Sequence, residues 1–156
     1  MPILLIGLLA VFAKAAGFDD QLPPPPEGKA WKLLWHDEFE GDKLDPSKWE
    51  VPDHRRRDGW WSPKAVSLDG KGNLVISTLK DGDRYLSACV RTRGRFEHAF
   101  GYYVARIKLQ EQPGHWSAFW LYHASVGNWA GDIAKAELPD RFLVDYVRVY
   151  DLVDAD

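Results

Sequence analysis

Large apolar residues recur at every second position in several short stretches of this chain. AWKLLWHDEF, Ala30 to Phe39, alternates in this way and then breaks at an acidic turn. NLVISTL, Asn73 to Leu79, follows a Gly-Lys-Gly turn with the same period, and LSACVRTR, GYYVARIKL and RFLVDYVRVY repeat it. A period of two sends successive side chains to opposite faces, so each stretch predicts a strand with one face on a core. The breaks between them, DGKGN, KDGD, EQPG and ELPD, are rich in the residues that tight turns need. No long helical period is present, and DIAKAEL predicts a short turn at most. No segment repeats another. Many short strands predict an all-β fold, a sandwich or jelly roll, with one face packed and one concave face open to solvent.

The chain has 156 residues, 46% of them hydrophobic, which suits one modest core and a single domain. Eight are Trp, an excess that packs cores and also offers flat surfaces for stacking. Net charge is −3 with the signs interspersed, and the basic run Arg55-Arg56-Arg57 is too short to follow a phosphate track. Nucleic acid is therefore not an expected partner. Nor is a membrane, since no stretch approaches the roughly 20 apolar residues of a span. PILLIGLLAVFA, Pro2 to Ala13, reads as the apolar core of a signal peptide, with Ala13-Lys14-Ala15 as its cleavage pattern. The expected organisation is a signal peptide over 1–15, a proline-rich linker over 16–29 and a β-domain over 30–152, secreted to the periplasm or beyond. The lone Cys89 cannot pair within the chain and is expected to be a small buried hydrophobe.

Three segments, in this order, resemble glycoside hydrolase family 16. They are WKLLWHDEFEGDKLDPSKWE (Trp31 to Glu50), RTRGRFEHAFGYYVARIKLQEQPGHWSAFWL (Arg91 to Leu121) and FLVDYVRVYD (Phe142 to Asp151). The resemblance implies a concanavalin A-like jelly roll of two curved sheets with a polysaccharide groove on the concave face. It also implies descent from retaining endo-hydrolases of β-glucans or red-algal galactans. Such enzymes carry E-x-D-x-x-E on one strand, because retention needs a nucleophile and an acid roughly 5 Å apart across the scissile bond. Alternation aims these side chains at one face, a bulge supplies the odd spacing, and the middle Asp keeps the acid protonated. This sequence contains no E-x-D-x-x-E. After HWSAFWLYH, which resembles the strand leading to the motif, the chain runs through SVGN into WAGDIAKAELPD, the approach to the last strand. On the order of 100 residues of the family's domain, several strands and their turns, have no counterpart. The expectation is a truncated jelly roll, joined near Gly127-Asn128-Trp129, without its catalytic strand.

No residue is assigned as catalytic. Asp132 and Glu137 lie nearest the joint, but their spacing does not match the motif. Asp37, Glu38 and Glu40 are expected in a solvated turn, and His115 and His123 in a groove or core. Arg91 matches the family's substrate-contacting Arg, and alternation puts Cys89 on its face. Trp116 and Trp120 are candidates for stacking on sugar faces, and Trp60 and Trp61 are read as loop aromatics that wall a subsite. The resemblance implies no cofactor for chemistry but a structural calcium on the convex side. The matching positions are the Asp145 carboxylate and backbone carbonyls near Glu38 and Gly72. The expected partner is a polysaccharide. A β-1,3-glucan is the family's default, and the cationic RRRDGWW loop leans toward a sulfated galactan. Edges left by missing strands favour self-association. The reading is a hydrolase by descent without present activity. The alternatives are a secreted, lectin-like carbohydrate-binding module and a non-functional deletion product.

Overall fold

The computed structural model describes residues 22–121, 125–126 and 132–155. Ten strands are described. The first six are β1 (Lys29–Asp37), β2 (His54–Arg56), β3 (Gly59–Trp61), β4 (Val66–Leu68), β5 (Leu74–Asp81) and β6 (Arg84–Ser87). The others are β7 (Tyr102–Lys108), β8 (His115–Trp116), β9 (Ser125–Val126) and β10 (Asp140–Asp154). Two 3₁₀ turns, Pro63–Ala65 and Ile133–Lys135, are the only helical turns among the described residues. The fold is the expected all-β, jelly-roll type, built on one curled sheet. DIAKAEL forms the short turn its sequence predicts, with the Asp132 carboxylate accepting the Ala134 N–H at 3.0 Å.

Strand β10 is the spine of that sheet. One of its edges takes β7, while the other takes β5 over its first residues and β1 over its last. All three pairings are antiparallel. The sheet continues through β6, β3 and β2, and β4 covers the free side of β5. Phe142 and Val144 face the core, and so do Val147 and Val149, which is one residue out of phase with a strict period of two. A bulge makes the correction, because the register with β7 slips between Val144 and Tyr146. A second slip, between Leu33 and Trp35, turns Trp35 onto the core and leaves Leu33 and Leu34 half-exposed.

Phe39, Trp49, Leu74, Phe142, Val144 and Val147 form the core cluster. The acidic turn after β1 builds into this core, contrary to the expectation that it is merely solvated. One Asp37 oxygen accepts the Phe39 N–H at 2.9 Å and the other accepts the Trp49 indole N–H at 2.7 Å. These bonds hold Phe39 at φ 52°, a left-handed conformation that a bulky residue keeps only when its surroundings fix it. Trp49 meets Trp35 edge-on at 5.1 Å. Glu38 takes both Nε and Nη2 of Arg148 at 2.8 Å, fastening the end of β1 across β10. Glu40 alone of the three acids is exposed.

Candidate functional site

A cavity of about 640 Å³ opens against the inner face of the sheet. Its floor is apolar and includes Leu74, Ile76, Phe142, Val144 and Val147. Its walls come from two stretches that cross the sheet, 87–98 and 110–121. The first carries Cys89 and Arg91, but Val90 between them lines the cavity too, so strand alternation does not sort this stretch into two faces. β6 ends at Ser87, so LSACVRTR is a strand only over its first residues, and beyond it Arg91 makes an isolated antiparallel bridge to Glu50.

That bridge fixes the arginine twice. The backbones exchange hydrogen bonds of 2.7 and 3.0 Å. The guanidinium then grips the Glu50 carboxylate through Nε at 2.7 Å and Nη2 at 3.0 Å. This planar, two-pronged contact is one that Lys could not make. The Arg91 hydrogen bond holds the Glu50 carboxyl below its usual range. Cys89 is buried, and burial pushes its thiol up to about 11. It is a neutral packing group, as its sequence context suggests.

The second wall holds Trp116 and Trp120, at 55% and 60% exposure, with Phe119 and Leu121 beside them. The sequence reads HWSAFWLYH as a strand, yet among its described residues only His115 and Trp116 pair, with Ser125 and Val126 of β9. Residues 117–121 beyond Trp116 follow no ladder. The stretch is anchored by His115, whose Nδ1 lies 2.9 Å from the Gln112 carbonyl and whose Nε2 lies 3.0 Å from the buried Thr78 hydroxyl. His115 thus lines the cavity with both ring nitrogens held by hydrogen bonds to the protein. His123 and the joint at 127–129 lie outside the described residues.

Three of the sequence-derived binding residues, Arg91, Trp116 and Trp120, therefore meet at one cavity. Trp60 and Trp61 do not join them. Both lie on β3 of a hairpin rather than in a loop, and neither lines the cavity. Trp61 is 4% exposed, packed by His54 and the Arg56 guanidinium. Trp60 donates its indole N–H to Asp53 and sits under the Arg84 guanidinium at 5.2 Å. Two residues that the sequence reading did not single out matter here. Glu50 orients Arg91 from 41 positions away, a distance no local pattern reveals. Glu97 is the one carboxylate among the described residues lining the cavity.

The expected calcium ligands do not assemble into a calcium centre. Asp145 and the turn around Gly72 do approach one another, since Lys71, Asn73 and Asp145 line one cleft. The Asp145 carboxylate, however, lies 3.1 Å from the Arg106 guanidinium, and Lys71 and Lys108 share the cleft. Calcium wants six to eight oxygens with anionic charge among them. Here its single carboxylate is already compensated. No group of three His, Cys, Asp or Glu side chains among the described residues could hold a metal ion.

No protein-family profile matches the chain. The beta-glucanase of Rhodothermus marinus is 31% identical over 106 residues, covering 58% of this chain and 36% of the relative. Beta-porphyranase B of Zobellia galactanivorans is 27% identical over 147 residues, covering 86% of this chain and 50% of the relative. The chain thus spans half or less of the length of these relatives. The endo-beta-1,3-glucanase of Pyrococcus furiosus superimposes with a TM-score of 0.64 at 18% identity, over 86% of this chain and 100% of that one. The two share a fold.

Proposed function

From the premise that the chain is a glycoside hydrolase family 16-like protein, we propose that it binds polysaccharide in this cavity without cleaving it. It would descend from a retaining endo-hydrolase of β-glucans or red-algal galactans. One observation carries the reading. Arg91, Trp116 and Trp120 converge on a cavity whose described wall carries a single carboxylate, Glu97. A retaining hydrolase needs two, roughly 5 Å apart. A lone carboxylate can accept hydrogen bonds from sugar hydroxyls, but it cannot serve as nucleophile and acid at once. The exposed indoles suit the C–H faces of a pyranose ring, and the guanidinium held by Glu50 suits its hydroxyls. The absence of E-x-D-x-x-E from the sequence supports the same conclusion.

The test is reducing-end release by the purified, folded chain on laminarin, mixed-linkage glucan, agarose, porphyran and carrageenan. Affinity electrophoresis is run on the same polymers. The expected result is retention on at least one polymer and no release. Release that rises in proportion to protein overturns the proposal. Export belongs to the same reading, with residues 1–15 as a signal peptide. Protein recovered from medium or periplasm should then begin near Ala16.

A second reading, a non-functional deletion product, is favoured by one feature. Leu74, Phe142, Val144 and Val147 belong both to the core cluster and to the cavity floor. On that reading the cavity is core left uncovered by missing strands, and urea unfolding should be broad and non-cooperative.

A further inference from the structure

The large cavity changes character with depth. Leu74, Ile76, Val90, Ile107, Val144 and Val147 line its interior, and each belongs to the core cluster or packs against it. Polar groups set among them are already spent within the protein. The Tyr103 hydroxyl donates to the His98 carbonyl, and the Ser117 hydroxyl donates to the Gln110 side-chain oxygen. Both nitrogens of His115 are held, and the Trp49 indole N–H donates to Asp37. The mouth is different. Arg93 and Glu97 are exposed on one side, and the rings of Trp116, Phe119 and Trp120 on the other.

A sugar ring suits only the mouth. There its C–H face can lie on an indole while its hydroxyls meet water, Arg93 or Glu97. Pushed inward, the same hydroxyls would be stripped of water against aliphatic side chains that return no hydrogen bond, which is costly. An alkyl chain has the opposite needs. It gains by leaving water and asks for no partner. At about 640 Å³ the cavity has the size that encloses a small ligand, so there is room behind the mouth for such a chain.

We infer that the cavity takes a glycan joined to an alkyl chain, a ligand of the glycolipid class. The sugar lies between the exposed rings and the polar side chains of the mouth, and the chain lies on the aliphatic floor. The sugar end rests on the glycan-binding reading, and the chain extends it.

Isothermal titration of the whole protein tests this with methyl and octyl β-glucoside and with methyl and octyl β-galactoside. The octyl compounds are kept below the concentration at which they form micelles. Octyl phosphocholine, with the same chain and no sugar, is the control. An octyl glycoside of at least one sugar should bind saturably, about tenfold or more tighter than its methyl counterpart, since each buried CH₂ adds up to about fourfold. It should also bind more tightly than octyl phosphocholine. Ile76→Trp, which fills the floor from a half-buried position, should remove the gain from the chain. Trp120→Ala, at the mouth, should bring the octyl glycoside down to the level of octyl phosphocholine. Cooperative melting checks the fold of each variant, and the comparison of ligands on the parent stands without them. Equal affinity for methyl and octyl glycosides, or no saturable binding of either octyl glycoside, overturns the inference. So does octyl phosphocholine binding as tightly as the octyl glycosides, which marks uncovered core. Affinity electrophoresis decides the glycan reading separately. A polymer retained without any octyl gain removes the chain alone, whereas no polymer retained and no glycoside bound removes both.

Discussion

Replacing Glu38 by Gln should cost the protein about 2 kcal/mol at neutral pH. The carboxylate takes two charge-assisted hydrogen bonds from Arg148, both at 2.8 Å, across 110 residues of sequence. The side chains are 27% and 24% exposed, between the two well-studied limits. A fully buried pair broken on one side costs about 3–5 kcal/mol, and an exposed one about 0–1 kcal/mol. For a domain of this size the loss corresponds to a fall of roughly 5–10 °C in melting midpoint. The pH dependence has a definite sign. The Arg148 hydrogen bond lowers the Glu38 carboxyl below its ordinary value of 4.5. A carboxyl lowered on folding contributes stability that is present above its unfolded pKa and is lost as pH falls through the folded one. Melts of parent and variant by circular dichroism at pH 7 and pH 3 should therefore differ widely at the first and converge toward the second. Equal midpoints at pH 7, or an undiminished gap at pH 3, would refute the assignment of this pair as the clasp between β1 and β10.

Trp61→Ala should lower stability by about 3–5 kcal/mol, because a large ring leaves the interior, yet leave glycan retention on affinity gels intact once the protein is folded. Trp116→Ala and Trp120→Ala should do the reverse, reducing retention with little change in melting midpoint, since both rings are more than half exposed. Thr78→Val strands the buried His115 Nε2 and should cost about 1–3 kcal/mol in urea unfolding, although the two side chains have the same shape. Cys89, buried with its thiol raised to about 11, should stay unreactive to a thiol reagent at pH 8 until denaturant unfolds the chain.

The sequence made the strands legible because each alternates over a length that only a pleated chain explains. β1, β5, β7 and β10 all fall where alternation puts them. It did not reveal the two bulges. A strict period of two runs from Phe142 through Val144 to Tyr146 and Arg148, whereas the chain inserts a residue and turns Val147 and Val149 inward. Local preference cannot report such a slip, since it is set by the strand lying alongside. The same limit explains the fate of HWSAFWLYH. Its residues suit a strand, but strand structure needs a neighbour, and among the described residues only His115 and Trp116 have one. Arg91 could be singled out from its surrounding motif, whereas its partner Glu50 could not, because the pairing exists only once the chain folds. The acidic run Asp37, Glu38 and Glu40 looked solvated because its partners, Trp49 and Arg148, are distant in sequence.

The two readings of the large cavity place different demands on its lining, and the lining is not uniform. Core left bare by missing strands should be apolar on every side, because the strands that once covered it were themselves apolar on their inner face. The floor, supplied by β5 and β10, meets that description. The wall does not. Arg91, Thr92, Arg93 and Glu97 line one side, and the exposed rings of Trp116 and Trp120 line the other. A polar residue buried in a core needs a partner within it, and Arg91 has one in Glu50, held at a fixed angle by two backbone and two side-chain hydrogen bonds. Arg93 and Glu97 are exposed, as groups that meet a ligand are. An apolar floor with a few fixed polar groups and flat aromatic surfaces at its mouth is how small-molecule and sugar sites are built. The asymmetry between floor and wall therefore weighs toward binding. It also locates the decisive residues on the stretches 91–97 and 116–120, where substitutions can change binding while leaving the sheet beneath them intact.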